Sequence, residues 1–379
     1  MPAGSESPTS SVAQAKTNRA LYTPVVDFLL MGGGSLLILP LIALVPAKYS
    51  EEILFASFLL SFVINYPHFA YSYQIFYRDF PNKVRGSGYP PHLQYRYMFA
   101  GLAVPVILIL VMAACFMSGS ALAMGTLASA MAFFVGWHYV KQGYGMLIVD
   151  SVMQRSFFNE REKKTLKINA YAGWIFAFLL ASYQIGGKDL LGIKYFFPPV
   201  PLELVIAAGA VALITATAAI LAAIQSARRI GKIPFNGYVA YVTSVYIWLA
   251  TIYTPAVYFL IPAFHSLQYL AVVWKYEFRR EAQIVMQQEK TDHDTLIVRY
   301  AIFIGTGLAL GAAGFFIIPN ILEDTVTYNQ ALFGGPAFTF MIFVFINIHH
   351  YFLDNVMWRK DNPDVSKYLF AAPKIESRT

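Results

Sequence analysis

Five histidines lie in apolar stretches of the chain, where an ionisable side chain is energetically costly. They occur in four separate segments, as His68, His138, His265 and the adjacent pair His349 and His350. Neutral imidazole is the commonest metal ligand among protein side chains. Histidines distributed in this way predict a metal or haem site, provided that the fold brings them together. The remaining two, His92 and His293, lie in polar segments.

Amide side chains accompany these histidines at helical spacing. Residues three or four apart share one face of a helix, so an amide at that distance can hydrogen-bond a cofactor or one of its ligands. Gln142 follows His138 by four residues, and Gln268 follows His265 by three. The candidates for such a cofactor-binding role are Asn65, Gln142, Gln268 and Asn347.

Asp354 stands four residues after His350 and shares its helix face, whereas His349 points about 100° away. Ligating histidines commonly donate their second N–H to a carboxylate. We therefore predict a catalytic role for Asp354, either orienting a ligand or ligating the metal. The alternative is an ion pair with Arg359 or Lys141. Periodicity alone leaves open whether His349 or His350 is the ligand.

Three of the histidines stand at the same distance before a basic residue. His68, His265 and His349 each stand ten residues before an arginine or lysine, which corresponds to about 15 Å of helix. A single histidine in an apolar helix is most often a hydrogen-bonded packing residue. Five at nearly one depth favour a shared metal or haem site over scattered structural histidines.

The composition predicts that these segments are membrane-spanning helices. The chain has 379 residues, of which 57% are hydrophobic and 13% charged, and soluble domains carry about 25% charged residues. Mean hydropathy is +0.52. We predict an all-α bundle of about ten transmembrane helices, near residues 25–46, 53–77, 98–117, 121–149, 165–185, 202–226, 237–253, 256–278, 296–318 and 334–357.

The distribution of basic residues predicts the orientation of this bundle. With the N-terminus in the cytoplasm, the predicted outer loops hold only Lys48, Lys188 and Lys194, and nearly all other basic residues face the cytoplasm. Both termini are then cytoplasmic, in a bacterial inner membrane, and the net charge of +7 needs no nucleic-acid partner. The predicted domains are a disordered tail (1–20), one transmembrane domain (21–358) and a C-terminal tail (359–379).

The residue types restrict which cofactors the predicted site could hold. Only one cysteine, Cys115, is present, which disfavours iron–sulfur clusters and structural zinc. Histidines with few carboxylates suit non-haem iron that activates dioxygen, with haem, zinc or copper as alternatives. The 31 Phe and 25 Tyr residues suit a lipophilic substrate such as a carotenoid, quinone or acyl lipid. The histidine-box motifs of membrane desaturases and the H-E-x-x-H motif of zinc proteases are absent.

Four short stretches, "YPHF", "GWHY", "FHSL" and "HHYFLD", resemble the Brp/Blh family of bacterial membrane carotene dioxygenases in placing isolated histidines on separate helices. The resemblance implies iron held by His68, His138, His265 and His349 or His350. The "PHGxxD"-type signature of that family is absent, since Phe69 and Ala70 follow His68.

Three functions follow as hypotheses. The first is a membrane oxidoreductase in which histidine-held iron activates dioxygen against a lipophilic substrate. The second is a haem-binding subunit that transfers electrons or oxidises quinol, and the third is a proton-coupled transporter whose histidines and Asp354 relay protons. The expected partners are the lipid bilayer and the lipophilic substrate. Assembly as a homo-oligomer or within a membrane complex stays open.

Overall fold

A computed structural model describes residues 20–185, 189–190, 193–194, 199–253, 257–287 and 293–370. Within these ranges the chain forms helices, their connecting turns and one short antiparallel pair, β1 (Asp189–Leu190) and β2 (Ile193–Lys194). The all-α prediction is therefore confirmed. The predicted N-terminal tail lies outside the described residues except for Ala20.

In the first half of the chain, two of the four histidine segments lie in helices α4 and α8. The helices of this half are α1 (Pro24–Phe28), α2 (Gly34–Ala43), α3 (Ser50–Leu60), α4 (Tyr66–Tyr77), α5 (Phe80–Arg85), α6 (Pro91–Met98), α7 (Val104–Met117), α8 (Ala121–Met153) and α9 (Glu160–Ile185).

The helices of the second half carry the other two histidine segments, on α12 and α16. They are α10 (Leu202–Ile230), α11 (Phe235–Tyr253), α12 (Val257–Gln287), α13 (His293–Ala312), α14 (Ile318–Thr325), α15 (Gln330–Phe333), α16 (Ala337–Met357) and α17 (Pro363–Val365). All ten segments predicted as spans are largely helical, and the span predicted at 256–278 continues in α12 to Gln287.

Among the described residues, seven stretches are helices long and apolar enough to cross a membrane, by length and composition. They are Pro24–Ile42, Glu51–Tyr77, Pro91–Met117, Glu160–Gln184, Leu202–Ile230, Asp294–Thr325 and Ala337–Met357. The other three predicted spans coincide with α8, α11 and α12. The total of ten spans and the cytoplasmic position of the termini stay predictions.

Short π-helical turns join several of these helices without a loop. The segments Leu29–Gly33, Ser61–Asn65, Phe99–Ala103 and Ala313–Ile317 each connect two consecutive helices. Such insertions are frequent at functional sites, because they redirect side chains within a helix. The second of them ends directly before α4 and three residues before His68.

Helix α16 lies in the interior of the bundle. Half of the residues in its most apolar 18-residue stretch are buried. In the corresponding stretch of α10 only 17% are buried. It packs against α4 on one side and α8 on another, and α12 in turn packs against α4. The four helices that carry the apolar histidines are therefore neighbours.

The described part of the C-terminal segment packs on the bundle. A π-helical turn at Ser366–Phe370 follows α17, and Val365 and Leu369 are buried in the same apolar cluster as Met31. The guanidinium of Arg279 donates a hydrogen bond to the carbonyl of Leu369 at 2.6 Å. Residues 359–370 are thus a folded element, and residues 371–379 lie outside the described residues.

Candidate metal centre

His68 is completely buried at the first turn of α4. Its Nδ1 lies 2.8 Å from the backbone carbonyl of Asn65 and 3.1 Å from Oγ of Ser266. A carbonyl partner requires a proton on Nδ1, which leaves the lone pair on Nε2 available for a ligand. Asn65, a predicted cofactor-binding residue, therefore contributes its backbone carbonyl, while its side-chain oxygen accepts from Ser266 at 2.9 Å.

The two adjacent histidines of α16 have different surroundings. His350 points towards His68, and their Nε2 atoms are 3.0 Å apart. His349 points away and lies between the hydroxyl of Tyr73, 2.8 Å from Nδ1, and the carbonyl of Ala100, 3.0 Å from Nε2. Both nitrogens of His349 are satisfied by protein groups, so it acts as a packing residue.

Asp354 joins His138 of α8 to this group. Its Oδ2 lies 3.5 Å from Nε2 of His138 and 3.4 Å from Nε2 of His350. Among the described residues, neither Arg359 nor Lys141 forms an ion pair with Asp354 within 4.0 Å. Arg359 instead pairs with Asp361 at 3.0 Å, and Lys141 donates to the side-chain oxygen of Asn355 at 2.7 Å.

The carboxylate that pairs with Arg359, Asp361, is exposed. It lies beyond the end of α16, where a 2.6 Å hydrogen bond with His92 and the contact with Arg359 lower its pKa to about 2. The carboxylate is therefore ionised over the whole neutral range.

His265 of α12 completes the group. Its ring stacks on Tyr139 at a centroid distance of 3.6 Å, and its centroid lies 4.8 Å from that of His138 and 5.5 Å from that of His68. Neither ring nitrogen has a hydrogen-bond partner in the described part of the chain. We refer to His68, His138, His265, His350 and Asp354 together as the histidine cluster.

The donor atoms of the histidine cluster form two overlapping groups. One joins His68, His265 and His350, the other joins His138, His350 and Asp354, and within each group the ligand atoms lie within 4.8 Å of one another. Two nitrogens that each bind one ion at about 2.1 Å and at a right angle are about 3.0 Å apart. The 3.0 Å between Nε2 of His68 and Nε2 of His350 equals that separation, and it is also a hydrogen-bond distance. An ion bound by both nitrogens would replace this hydrogen bond.

Several buried polar atoms of this region have no hydrogen-bond partner among the described residues. They are Nε2 of His138, both ring nitrogens of His265, Nδ1 of His350, Oδ2 of Asp354 and Oε1 of Gln142. An unsatisfied buried polar group typically costs about 1–3 kcal/mol. These atoms come from three helices, and a metal ion bound among them would satisfy them. The histidine cluster therefore fits a metal ion.

Two residues outside the predicted set hold Asp354 in place. The hydroxyl of Tyr269 donates to Oδ1 of Asp354 at 3.1 Å, and it lies 2.6 Å from Oγ of Ser72. Ser72 and Tyr269 each follow a cluster histidine, His68 and His265, by four residues. That spacing is the signal by which both could have been selected from the sequence.

The two predicted glutamines form a chain of amides beside the histidine cluster. Gln142 donates to the backbone carbonyl of His265 at 3.0 Å and lies 3.3 Å from Oε1 of Gln268. Gln268 donates to the carbonyl of Met31 at 2.7 Å. They position α12 against α8. Asn347 instead donates to the carbonyl of Phe343, one turn earlier in its own helix.

A small cavity adjoins His265. Its volume is about 20 Å³, enough for a molecule of the size of water. The hydroxyls of Ser35, Thr243 and Ser244, the amide of Gln268 and the imidazole of His265 contribute its polar lining. Space for a small molecule therefore lies next to a candidate ligand.

No protein-family model, no curated protein and no solved structure matches this chain. The geometry of the histidine cluster is therefore the basis for assigning a function.

Proposed function

We propose that this protein is a multi-pass membrane oxidoreductase in which His68, His138, His265 and His350 hold one non-haem iron ion that activates dioxygen against a lipophilic substrate. The observation that supports this proposal is the convergence of His138, His265 and His350, from α8, α12 and α16, on His68 of α4. Nε2 of His138 and both ring nitrogens of His265 have no hydrogen-bond partner among the described residues. Iron with open coordination positions supplies dioxygen binding and redox chemistry.

The donor set favours this metal. Four imidazoles and one carboxylate, without cysteine, suit iron better than a structural zinc site, which is typically closed and rich in thiolate. The cavity beside His265 offers room for a small co-substrate. The resemblance to the Brp/Blh family in the arrangement of histidines belongs to the same proposal, together with ten spans, cytoplasmic termini and a bacterial inner membrane.

The chain's own residues have separate tasks in this proposal. The carbonyl of Asn65 fixes the tautomer of His68. Tyr269 holds one oxygen of Asp354, so that the other oxygen faces His138 and His350. Asp354 thereby orients the two histidines and balances part of the positive charge at the centre. The surrounding apolar helices exclude bulk water and admit a substrate from the bilayer.

Metal content of detergent-purified protein tests the proposal. The wild type should contain about one iron per chain and show no Soret band in its absorption spectrum. His350→Ala and His138→Ala should lose most of the iron, because each removes a ligand from the centre, while the protein still inserts in the membrane.

The neighbouring histidine supplies the matched control. His349→Ala leaves Tyr73 and Ala100 without a partner and should cost about 1–3 kcal/mol of stability, yet it should retain iron. A Soret band, or equal iron content in His349→Ala and His350→Ala, would contradict the proposal.

A further inference from the structure

Helix α8 carries a lysine beside the histidine cluster. Lys141 follows His138 by three residues, which places it about 4.5 Å further along the helix. It is half-buried, and its Nζ lies 5.4 Å from the centroid of the Tyr351 ring. The same ring lies edge-on to His138, at a centroid distance of 6.1 Å. Tyr351 therefore contacts both the lysine and the candidate metal ligand.

An apolar surface leads to this lysine. Helix α8 packs against both α9 and α16, and its half-exposed residues between them include Phe134 and Trp137, seven and four residues before Lys141. Trp137 stacks on Tyr171 of α9 at 4.3 Å, and Phe134 lies 5.4 Å from Tyr351 of α16. We call Phe134, Trp137, Lys141, Tyr171 and Tyr351 the aromatic strip.

The charge at one end of the aromatic strip is positive. The ammonium of Lys141 donates to the side-chain oxygen of Asn355 at 2.7 Å, and Arg359 pairs with Asp361 at 3.0 Å. Lys167, Arg359 and Arg96 are close enough to repel Lys141 electrostatically, and Asp354 is the carboxylate that attracts it. Among the described residues, no carboxylate lies within 4.0 Å of Lys141, Lys167 or Arg96. A cation in an apolar segment is costly without an anion, so this end of the strip is complementary to a negatively charged group.

We propose that the aromatic strip binds a long-chain carboxylate, with its head group on Lys141 and its hydrocarbon chain along Trp137 and Phe134. The aromatic rings offer an apolar surface for the chain, and the ammonium offers a charge-assisted hydrogen bond to the carboxylate. That the bound carboxylate is the substrate rests on the proposed function; the binding itself does not.

Quenching of tryptophan fluorescence by 9,10-dibromostearate tests the proposal in an uncharged detergent. Wild-type protein should bind the acid about tenfold more tightly than its methyl ester, because the ester forms no charge-assisted hydrogen bond with Lys141. Trp137→Phe should lose most of the quenching, since Trp137 is the tryptophan that lines the strip.

Lys141→Gln should reduce the difference between acid and ester to about twofold or less, with unchanged iron content. The matched control Lys164→Gln alters an exposed lysine of α9 outside the strip and should retain the preference. Equal affinity for acid and ester in the wild type, or an unaltered preference in Lys141→Gln, would overturn the proposal.

Two further measurements distinguish carboxylate binding from the binding of a structural lipid and from the proposed function. A dibrominated phosphatidylglycerol that quenches as strongly as the acid and depends equally on Lys141 would assign the strip to a structural lipid and overturn the proposal. His350→Ala should lose iron but keep its preference for the acid. Absence of iron from wild-type protein would refute the proposed function. Carboxylate binding would then still be decided by the Lys141→Gln result.

Discussion

His349 and His350 are neighbours in sequence and both are fully buried, but only one of them belongs to the histidine cluster. The 100° rotation per residue of a helix places them against different partners. His349 meets a hydroxyl and a carbonyl that satisfy both of its nitrogens, while His350 meets His68 and Asp354. Residue type is the same at both positions, so the surroundings decide the role.

Replacement of Tyr269 tests the role of a single side chain. Tyr269→Phe removes the donor to Oδ1 of Asp354, so the carboxylate can rotate away from His138 and His350. Loss of such an outer partner typically weakens metal affinity about 10–100-fold, and titration with a competing chelator would measure the change.

Tyr73→Phe is the matched control for that experiment. It removes a hydroxyl of the same kind from α4, but that hydroxyl contacts His349 rather than the histidine cluster. Iron affinity should be unchanged. Equal weakening in both variants would mean that Tyr269 acts through general packing and not through Asp354.

At the scale of elements, the glycine run "MGGGS" between α1 and α2 positions α12. Gly32 lies close to α11: a Cβ there would be 2.3 Å from Oγ1 of Thr243. Gly32 also has a φ of +146°, which interrupts the helix. The carbonyl of Met31, next to this kink, accepts the hydrogen bond from Gln268.

Gly32→Ala should therefore destabilise the protein. The strained backbone alone costs about 1–3 kcal/mol for a residue with a Cβ, and the clash with Thr243 adds to it. The thermal unfolding midpoint in detergent should fall. Gly305→Ala is the control, because a Cβ at this position of α13 meets nothing within 4 Å and alanine favours a helix. A similar decrease in both variants would refute this role of Gly32.

At the scale of the whole molecule, the predicted orientation can be tested by cysteine labelling, since Cys115 is the only native cysteine. In a Cys115→Ala background, Thr327→Cys and Lys360→Cys introduce exposed cysteines before and after α16. A membrane-impermeant maleimide should label position 327 in intact cells and position 360 only after permeabilisation. The reverse pattern would invert the topology, and equal labelling would mean that α16 does not cross the membrane.

The sequence by itself determined the fold class and the positions of the long helices. Apolar runs of membrane-spanning length have few alternatives to a helix, since every backbone polar group must be satisfied within the bilayer. The same reasoning selected the histidine segments, because an ionisable residue in such a run needs a specific reason to be there. It also selected Asp354, Gln142 and Gln268, all within one helical turn of a cluster histidine.

Only the tertiary structure decided which of these side chains meet. Periodicity gives the relative directions of His349 and His350, but the neighbour on each side depends on how α16 packs between α4 and α8. Asn347 has favourable spacing, yet its amide turns back to its own helix. Tyr269 donates to Asp354 across 85 positions of the chain, and Ser72 bonds to Tyr269 across 197. Their spacing from a histidine can select both residues, but the partner of each depends on how the helices pack.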